Sequence, residues 1–399
     1  INGVYWGTYN VVERPDEGFT SDYIGGSKDD WDVQNSGNPV NGDLQTWNQL
    51  LRMARDIDRL VDGSDEQFAS WMEMQGQLPD GSPHPDAEDL LDVENYIDYL
   101  IVNFYGGNTD WPFKNYYAAR QRGPDSTGFK FFVWDAEWSL NLRSSVRTNN
   151  LGDTRGVAAV YGELRNVPEF KLWFADRIQK HFSPGGIFYV DPQNPNWNPA
   201  HPERNEPAAL FYELTNAMRR PLVAESARWG DQHNTVPHTV DESWEPQVNA
   251  MLSLYFPQRS ANMLSYFRDA GLMSSVPTPR FLQRGGQVGT VSLTTHAGQI
   301  YFSTDGSDPR LPGGEVSPTA QLYSRPISVS ETTQIRVRAL HNGEWSAIDE
   351  AQFFANDFQP ATSENLAVTE IHFNPREADP AELQVDNDEF EFIEVANVG

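Results

Sequence analysis

The sequence contains no cysteine, which excludes disulfide frameworks, thiolate metal sites and cysteine nucleophiles. Lysine is scarce too. Only Lys28, Lys114, Lys130, Lys171 and Lys180 occur, so the 29 basic residues are almost all arginine, against 57 acids and a net charge of −28. Such an acidic surface repels phosphate backbones, making nucleic acid and anionic lipid poor partners, while divalent cations are attracted. No run of about eighteen apolar residues is present, so no membrane span is expected. The histidines are scattered: His181, His201, His233 and His238 lack zinc spacing, and no HExxH occurs. Ser226 has neither a nucleophile-elbow pattern nor a nearby histidine, which argues against a hydrolase triad. There is no initiator methionine and no signal-peptide pattern. Ile1 and Gly399 both fall inside strand-like runs, so the chain reads as a piece cut at both ends.

What is present points to a folded, multidomain chain. Its 399 residues suggest two or three domains, and twelve tryptophans with twenty-two phenylalanines supply large core surfaces. Residues 3–13 (GVYWGTYNVVE) read as a strand, and residues 43–103 as mainly helical. Ser64-Asp-Glu-Gln67 has the form of a capping box. In DVENYIDYLIVNFY, Val93, Tyr96, Ile97, Leu100, Ile101 and Phe104 fall on one helical face, with Asp92 as N-cap and Gly106-Gly107 as the stop. NYYAAR and FKFFVW read as strands joined by a polar turn, the second apolar enough to be buried on both faces. Helices are expected again at 167–182, 206–228 and 242–269.

Near SSVPTPRF (274–281) helical periodicity ends and short β runs with turns begin. Asn342-Gly343 between two such runs is a strong hairpin signal, and this segment reads as a small β-sandwich. A further β segment opens after the linker ANDFQPATSEN. The domains expected are 1–272, 278–356 and 364–399. No internal repeat or low-complexity tract is evident.

Three polar residues stand out between the apolar helix and the strand pair. Phosphoryl transfer needs a carboxylate to orient the attacking hydroxyl, and an Asp and an Asn to hold the metal that neutralises the phosphates. Protein kinases place the first acid and the amide five residues apart, with the metal acid after a following strand. Asp110, Asn115 and Asp135 have that order. Asp110 also reads as a turn residue before Trp111-Pro112, and Asn115 as an ordinary strand-start residue. For Asp135 a buried strand end would make an unpaired charge expensive. Glu225, Arg228 and Asp231 in ESARWGD read as a structural ion-pair and capping cluster. Asp305 and Asp308 in TDGSDP read as a turn before they read as a calcium loop.

NGVYWGTYNVVERPDEGF, YLIVNFYGGNTDWPFKNYY, FKFFVWDAEWSLN and EFKLWFADRIQKHF followed by ESARWGD, in that order, resemble the CotH kinase family over roughly residues 1–270. The resemblance implies an α+β atypical kinase-like domain, mostly its helix-rich C-terminal lobe, with all-β sandwich modules behind it. It implies Asp110 as the catalytic acid, with Asn115 and Asp135 binding metal and nucleotide, Glu137 assisting, and Lys114 neutralising neighbours or meeting a phosphate. The cofactors implied are Mg²⁺ or Mn²⁺ and ATP, and the partner is a protein phosphoacceptor. An upstream family segment carrying arginine and lysine is not in this sequence, so the piece alone is expected to lack much of the phosphate clamp and not to be an active kinase. Glu13 is the candidate partner of that missing lysine. QIYFSTDGSDPR…RVRALHNGEWS resembles the C-terminal domain of chitobiases and hexosaminidases, and LAVTEIHFNP…EFEFIEVANVG a lamin-tail domain. Both imply an extracellular or cell-surface location with cell-surface partners. Two other functions stay open: an inactive kinase-like adhesin or scaffold, and a polysaccharide-active enzyme suggested by the tryptophans and the WDAEW acids.

Overall fold

The computed structural model describes residues 5–9, 11–124, 126–232, 235–355, 361–363, 365–372 and 392–397. Its axis is the apolar helix read from the sequence. Asp92 Oδ1 accepts the Asn95 N–H at 3.0 Å and so opens the helix. Gly107, at φ 61°, closes it with its N–H bonded to the carbonyls of Asn103 and Phe104. Val93, Tyr96, Ile97, Leu100, Ile101 and Phe104 are all buried in one large core. Ser64 likewise caps its helix through the Gln67 N–H, but the Gln67 side chain returns to the Gly63 N–H rather than to Ser64.

The elements around this axis run α1 (Glu17–Tyr23), β1 (Trp31–Asn35), β2 (Asn38–Asn41), α2 (Gln45–Asp58), α3 (Asp65–Met74) and α4 (Val93–Gly106). They continue with β3 (Tyr116–Gln121), β4 (Lys130–Val133), α5 (Ala159–Leu164), α6 (Pro168–Phe182), α7 (Glu206–Trp229), α8 (Glu245–Ala250) and α9 (Phe256–Asp269). The sheet order is β2-β1-β3-β4, all antiparallel. One face, through Tyr116, Ala118 and Phe131, joins the helical core. The other carries a smaller cluster of Trp31, Val33, Tyr117 and Ala119, against which Phe132 and Trp134 pack.

Three sequence expectations change here. Residues 5–9 and 11–13 form no strand. Their groups are taken by α7 instead: Glu225 accepts from the Tyr5 hydroxyl and the Thr8 N–H, and the Trp229 indole donates to the Trp6 carbonyl. Residues 1–4 and 10 of that expected strand lie outside the described residues. FKFFVW is not buried on both faces, because β4 ends the sheet and only Phe131 within it is fully buried. The β1–β2 hairpin, unforeseen because Asp32 and Gln34 interrupt its apolar pattern, turns through Ser36 (φ 52°) and Gly37 (φ 83°).

The second unit comprises β5 (Arg280–Phe281), β6 (Gly286–Gln287), β7 (Thr290–Val291), β8 (Leu293–Thr294), β9 (Gln299–Ser303), β10 (Gln321–Leu322), β11 (Ile327–Ser328), β12 (Thr333–His341), β13 (Glu344–Trp345) and β14 (Asp349–Phe354). A sheet ordered β10-β9-β12-β14-β6 faces the short pairs β5–β8 and β7–β11, enclosing Phe281, Val291, Ile335, Val337 and Phe353. The expected hairpin is present, with Asn342 (φ 52°) and Gly343 (φ 84°) joining β12 to β13. A last antiparallel pair, β15 (Leu366–His372) and β16 (Phe392–Asn397), follows. The segment between those two strands, where most of the lamin-tail reading falls, lies outside the described residues.

The two main units are clamped together. Arg338 of β12, 3 % exposed, lies between Asp176 of α6 and Asp308, with contacts of 2.8 and 2.7 Å to the first and 2.8 and 2.6 Å to the second. Its Nη1 also donates to the Ser346 carbonyl. Burial works against this charge, but Asp176 and Asp308 outweigh it and hold the guanidinium pKa above its ordinary range. Asp308 is thus committed to arginine, and Asp305 accepts from Ser307 in a plain turn, so neither is poised for calcium.

Candidate functional site

Residues 107–115 form a loop whose shape is set from below. Asn108, almost fully buried, accepts the Asp110 N–H on Oδ1 at 3.1 Å and donates from Nδ2 to Asn103 Oδ1 at 3.0 Å. Trp111 is buried beside it, its indole N–H bonded to the Tyr99 hydroxyl at 2.6 Å. Gly156, at φ 53°, packs flat on the loop, and a Cβ there would stand 2.2 Å from the Pro112 carbonyl oxygen. At the far end Asn115 adopts φ 59°, and its N–H donates to Ser36 Oγ at 3.0 Å, so the β1–β2 turn fixes it. Asn and Asp tolerate the left-handed region better than most residues, though such positions store strain.

This loop brings Asp110 and Asn115 into contact. Asn115 Nδ2 donates to Asp110 Oδ2 at 3.0 Å, and Lys114 Nζ lies 2.8 Å from the same oxygen.

The segment after β4 completes the group. Asp135 sits at φ 52°. Two backbone bonds tie this segment to the loop: Thr109 N–H to the Trp138 carbonyl at 3.0 Å, and Leu140 N–H to the Gly106 carbonyl at 2.8 Å. The Glu137 carboxyl hydrogen-bonds Asp135, which pushes its pKa up, and the Asp135 and Asp110 charges push the same way while Lys114 opposes them. Asp135 is exposed rather than buried, so the expected cost of a charge at a buried strand end does not apply. The structure therefore brings Asp110, Asn115 and Lys114 into contact, with Asp135 and Glu137 on the adjoining segment close enough for their charges to act on one another.

Among the described residues no three acidic or histidine side chains form a metal cage by themselves. The donor set still suits a hard cation. Mg²⁺ is usually held by one or two protein oxygens, with water and substrate phosphates completing its shell. Asp135 and the Asn115 side-chain oxygen are such donors. Neighbouring carboxyls such as Asp135 and Glu137 repel each other when both are charged, and a bound cation relieves that repulsion.

Sequence reasoning missed Asn108, Ser36 and Gly156. Asn108 carries a weak local signal, since Asn two residues before an Asp suits a side-chain-closed turn. Ser36 and Gly156 are far away in sequence and give none. Glu13 accepts from the Tyr23 hydroxyl at 2.9 Å. In ESARWGD, Glu225 holds the N-terminal segment and Arg228 stacks on Trp6 and Trp229 at 4.8 and 4.7 Å, so the cluster is structural but not the ion pair expected. His181 contacts Asp98, and His233 lies outside the described residues.

Residues 1–183 match the CotH kinase protein family. The CotH region thus contains all five side chains of the group. Residues 283–348 match the chitobiase/beta-hexosaminidase C-terminal domain. None of the curated proteins matches the chain. The mixed helix-and-sheet CotH region followed by antiparallel β-modules agrees with the kinase-like α+β fold read from the sequence.

Proposed function

We propose that the CotH region is an ATP-dependent protein kinase acting on a Ser or Thr hydroxyl of an extracellular or cell-surface protein. The observation that carries this reading is the Asn115–Asp110 contact on a loop that is bonded through its backbone to the segment bearing Asp135 and Glu137. In the reaction the acceptor hydroxyl oxygen bonds to the γ-phosphorus. The bond from that phosphorus to the β–γ bridging oxygen breaks, its electron pair leaving with ADP. The hydroxyl proton passes to Asp110, which also aims the oxygen. Asn115 and Asp135 would hold Mg²⁺ or Mn²⁺, which when bound would neutralise the phosphate charge. Lys114 keeps Asp110 oriented and offers a cation toward the transferred group.

The extracellular assignment draws support from the chitobiase-type domain that follows. Among the described residues no helix is long and apolar enough to cross a membrane.

Transfer of labelled γ-phosphate from ATP by the protein carrying the upstream arginine- and lysine-bearing segment, with Mg²⁺ or Mn²⁺ and Asp110→Ala and Asp135→Ala beside that parent, tests the reading. Label incorporated by the parent and lost in both variants supports it; equal incorporation by all three refutes it.

One observation favours an inactive scaffold as the second reading. Asp110 Oδ2 is already satisfied by Lys114 and Asn115. No transfer together with no ATP binding would select it. The polysaccharide-active reading is weaker, because Asp135 and Glu137 touch each other rather than flanking a bond from two sides about 5–10 Å apart.

A further inference from the structure

On its other side, the junction that carries the acid group forms one wall of an open groove of about 230 Å³. Val102 of α4, Val133 at the end of β4, Leu140 of the segment after it, Ile187, and Leu210 and Leu214 of α7 line it. These six side chains are between 38 % and 58 % exposed, a concentration of open apolar surface on a strongly acidic protein. No charged residue lines the groove. Ala136, between Asp135 and Glu137, belongs to its wall, so groove and acid group are built from the same short stretch of chain.

The two amides at its edge are already committed. Asn103 Nδ2 donates to the Tyr99 carbonyl and Asn108 Nδ2 to Asn103 Oδ1, while Asn108 Oδ1 accepts from the Asp110 N–H. A nucleobase seated there would lose the partners of its polar edge, which is costly in an apolar site. An aliphatic or aromatic side chain has no such edge, and the volume suits one of them. Asp110, Asp135 and Glu137 stand at the adjoining rim; of the nearby cations Lys114 is paired to Asp110, Arg155 is paired to Asp153 and Arg143 lies on Trp138, so the acids leave the rim attractive to a cationic polypeptide.

We propose that this groove receives an apolar side chain flanking the hydroxyl residue of a basic polypeptide acceptor, and so sets acceptor specificity. The inference rests on the kinase reading for its biological meaning. The groove itself is tested by binding alone.

The probes are fluorescein-labelled decapeptides with one serine, two arginines and either leucine or aspartate beside the serine. Fluorescence anisotropy reads their binding, and phosphate transfer reads KM. The leucine peptide should bind about tenfold tighter than the aspartate peptide, the scale expected for burying one such side chain. Leu210→Asp combined with Leu214→Asp, both well exposed, should abolish that preference while affinity for Mn²⁺–ATP stays as in the parent. Leu210→Met should retain the preference.

Equal binding of the two peptides, or a preference that survives in the double variant, overturns the proposal. A loss of ATP affinity in the double variant overturns it in favour of a nucleobase. A dimer in sedimentation that the double variant dissociates assigns the groove to a second copy and overturns it too. Peptide discrimination without phosphate transfer would refute the kinase reading and support the groove. Transfer without discrimination would refute the groove alone.

Discussion

Asn115 Nδ2 donates to Asp110 Oδ2 at 3.0 Å across a five-residue separation, and Lys114 Nζ reaches the same oxygen at 2.8 Å. Lys114 is about half exposed while Asp110 is mostly buried, and a pair open to water on one side adds modestly to stability; side-chain positions are what it settles. Holding one carboxylate oxygen from two sides leaves the other oxygen of Asp110 free to face an acceptor hydroxyl.

Metal affinity should depend on pH through Glu137. Its pKa is raised by the hydrogen bond to Asp135 and by the Asp135 charge. A bound divalent cation competes with that proton, so apparent Mn²⁺ affinity should fall as pH is lowered through the raised pKa. Glu137→Gln should flatten the profile. Calorimetric titration with Mn²⁺ at several pH values checks this, and a profile identical in parent and variant would refute it.

Gly156→Ala should damage the site without touching it. The substitution puts a side chain at φ 53° and 2.2 Å from the Pro112 carbonyl oxygen, so the 110–115 loop must shift. We expect a loss of about 1–3 kcal/mol in urea unfolding, with weakened Mn²⁺ binding. Unchanged metal binding would mean that the loop's position does not matter.

Asp89 should make folding stability depend on pH in the direction opposite to a salt-bridged acid. Burial pushes its pKa from 3.8 up to about 7, although the Leu91 N–H, Arg120 and Lys130 work against it. Between these values the folded chain holds a proton that the unfolded chain has released. Its stabilising contribution is therefore complete below about pH 4 and is lost as pH rises through about 7. Asp89→Asn should remove this decline and be more stable than the parent at pH 8, by about 2–4 kcal/mol. Denaturant melts at pH 5 and pH 8 decide it.

Arg338→Met should loosen the sandwich from the CotH region. Removing the arginine leaves Asp176 on α6 with an unpaired, buried charge, a loss of about 3–5 kcal/mol. Asp308 is one-third exposed and can regain water. Calorimetry should show the parent's transition split into two. A single transition at the parent's temperature would mean the clamp is not what joins the units.

The sequence made the local features of the fold legible and left the long-range ones obscure. The α4 helix, its Asp92 cap and its Gly107 stop were readable because period, cap and terminator lie within sixteen residues. The Asn342-Gly343 hairpin was readable for the same reason. Residues 5–9 and 11–13 misled because aromatic and β-branched composition signals a strand only where a neighbouring strand can pair with it, and α7 takes the groups of Tyr5, Trp6 and Thr8. In the candidate site, Asp110, Asn115 and Asp135 were read from their order together with the resemblance around them, and the structure brings Asp110 and Asn115 into contact. Their supports at Ser36, Asn108 and Gly156 were not, since each acts through backbone contacts formed only when distant segments meet. The Arg338 clamp was invisible for the same reason, as nothing local in QIRVRAL distinguishes the one arginine that becomes buried.

The most direct measurement is calorimetric titration of ATP, with and without Mn²⁺, into the protein carrying the upstream arginine- and lysine-bearing segment, alongside Asp135→Asn. One metal–phosphate site built from Asn115 and Asp135 beside Asp110 predicts binding that needs the metal and weakens at least tenfold in the variant, with the fold unchanged by circular dichroism. Metal-independent binding, no binding by the parent, or equal affinity in parent and variant would contradict the account.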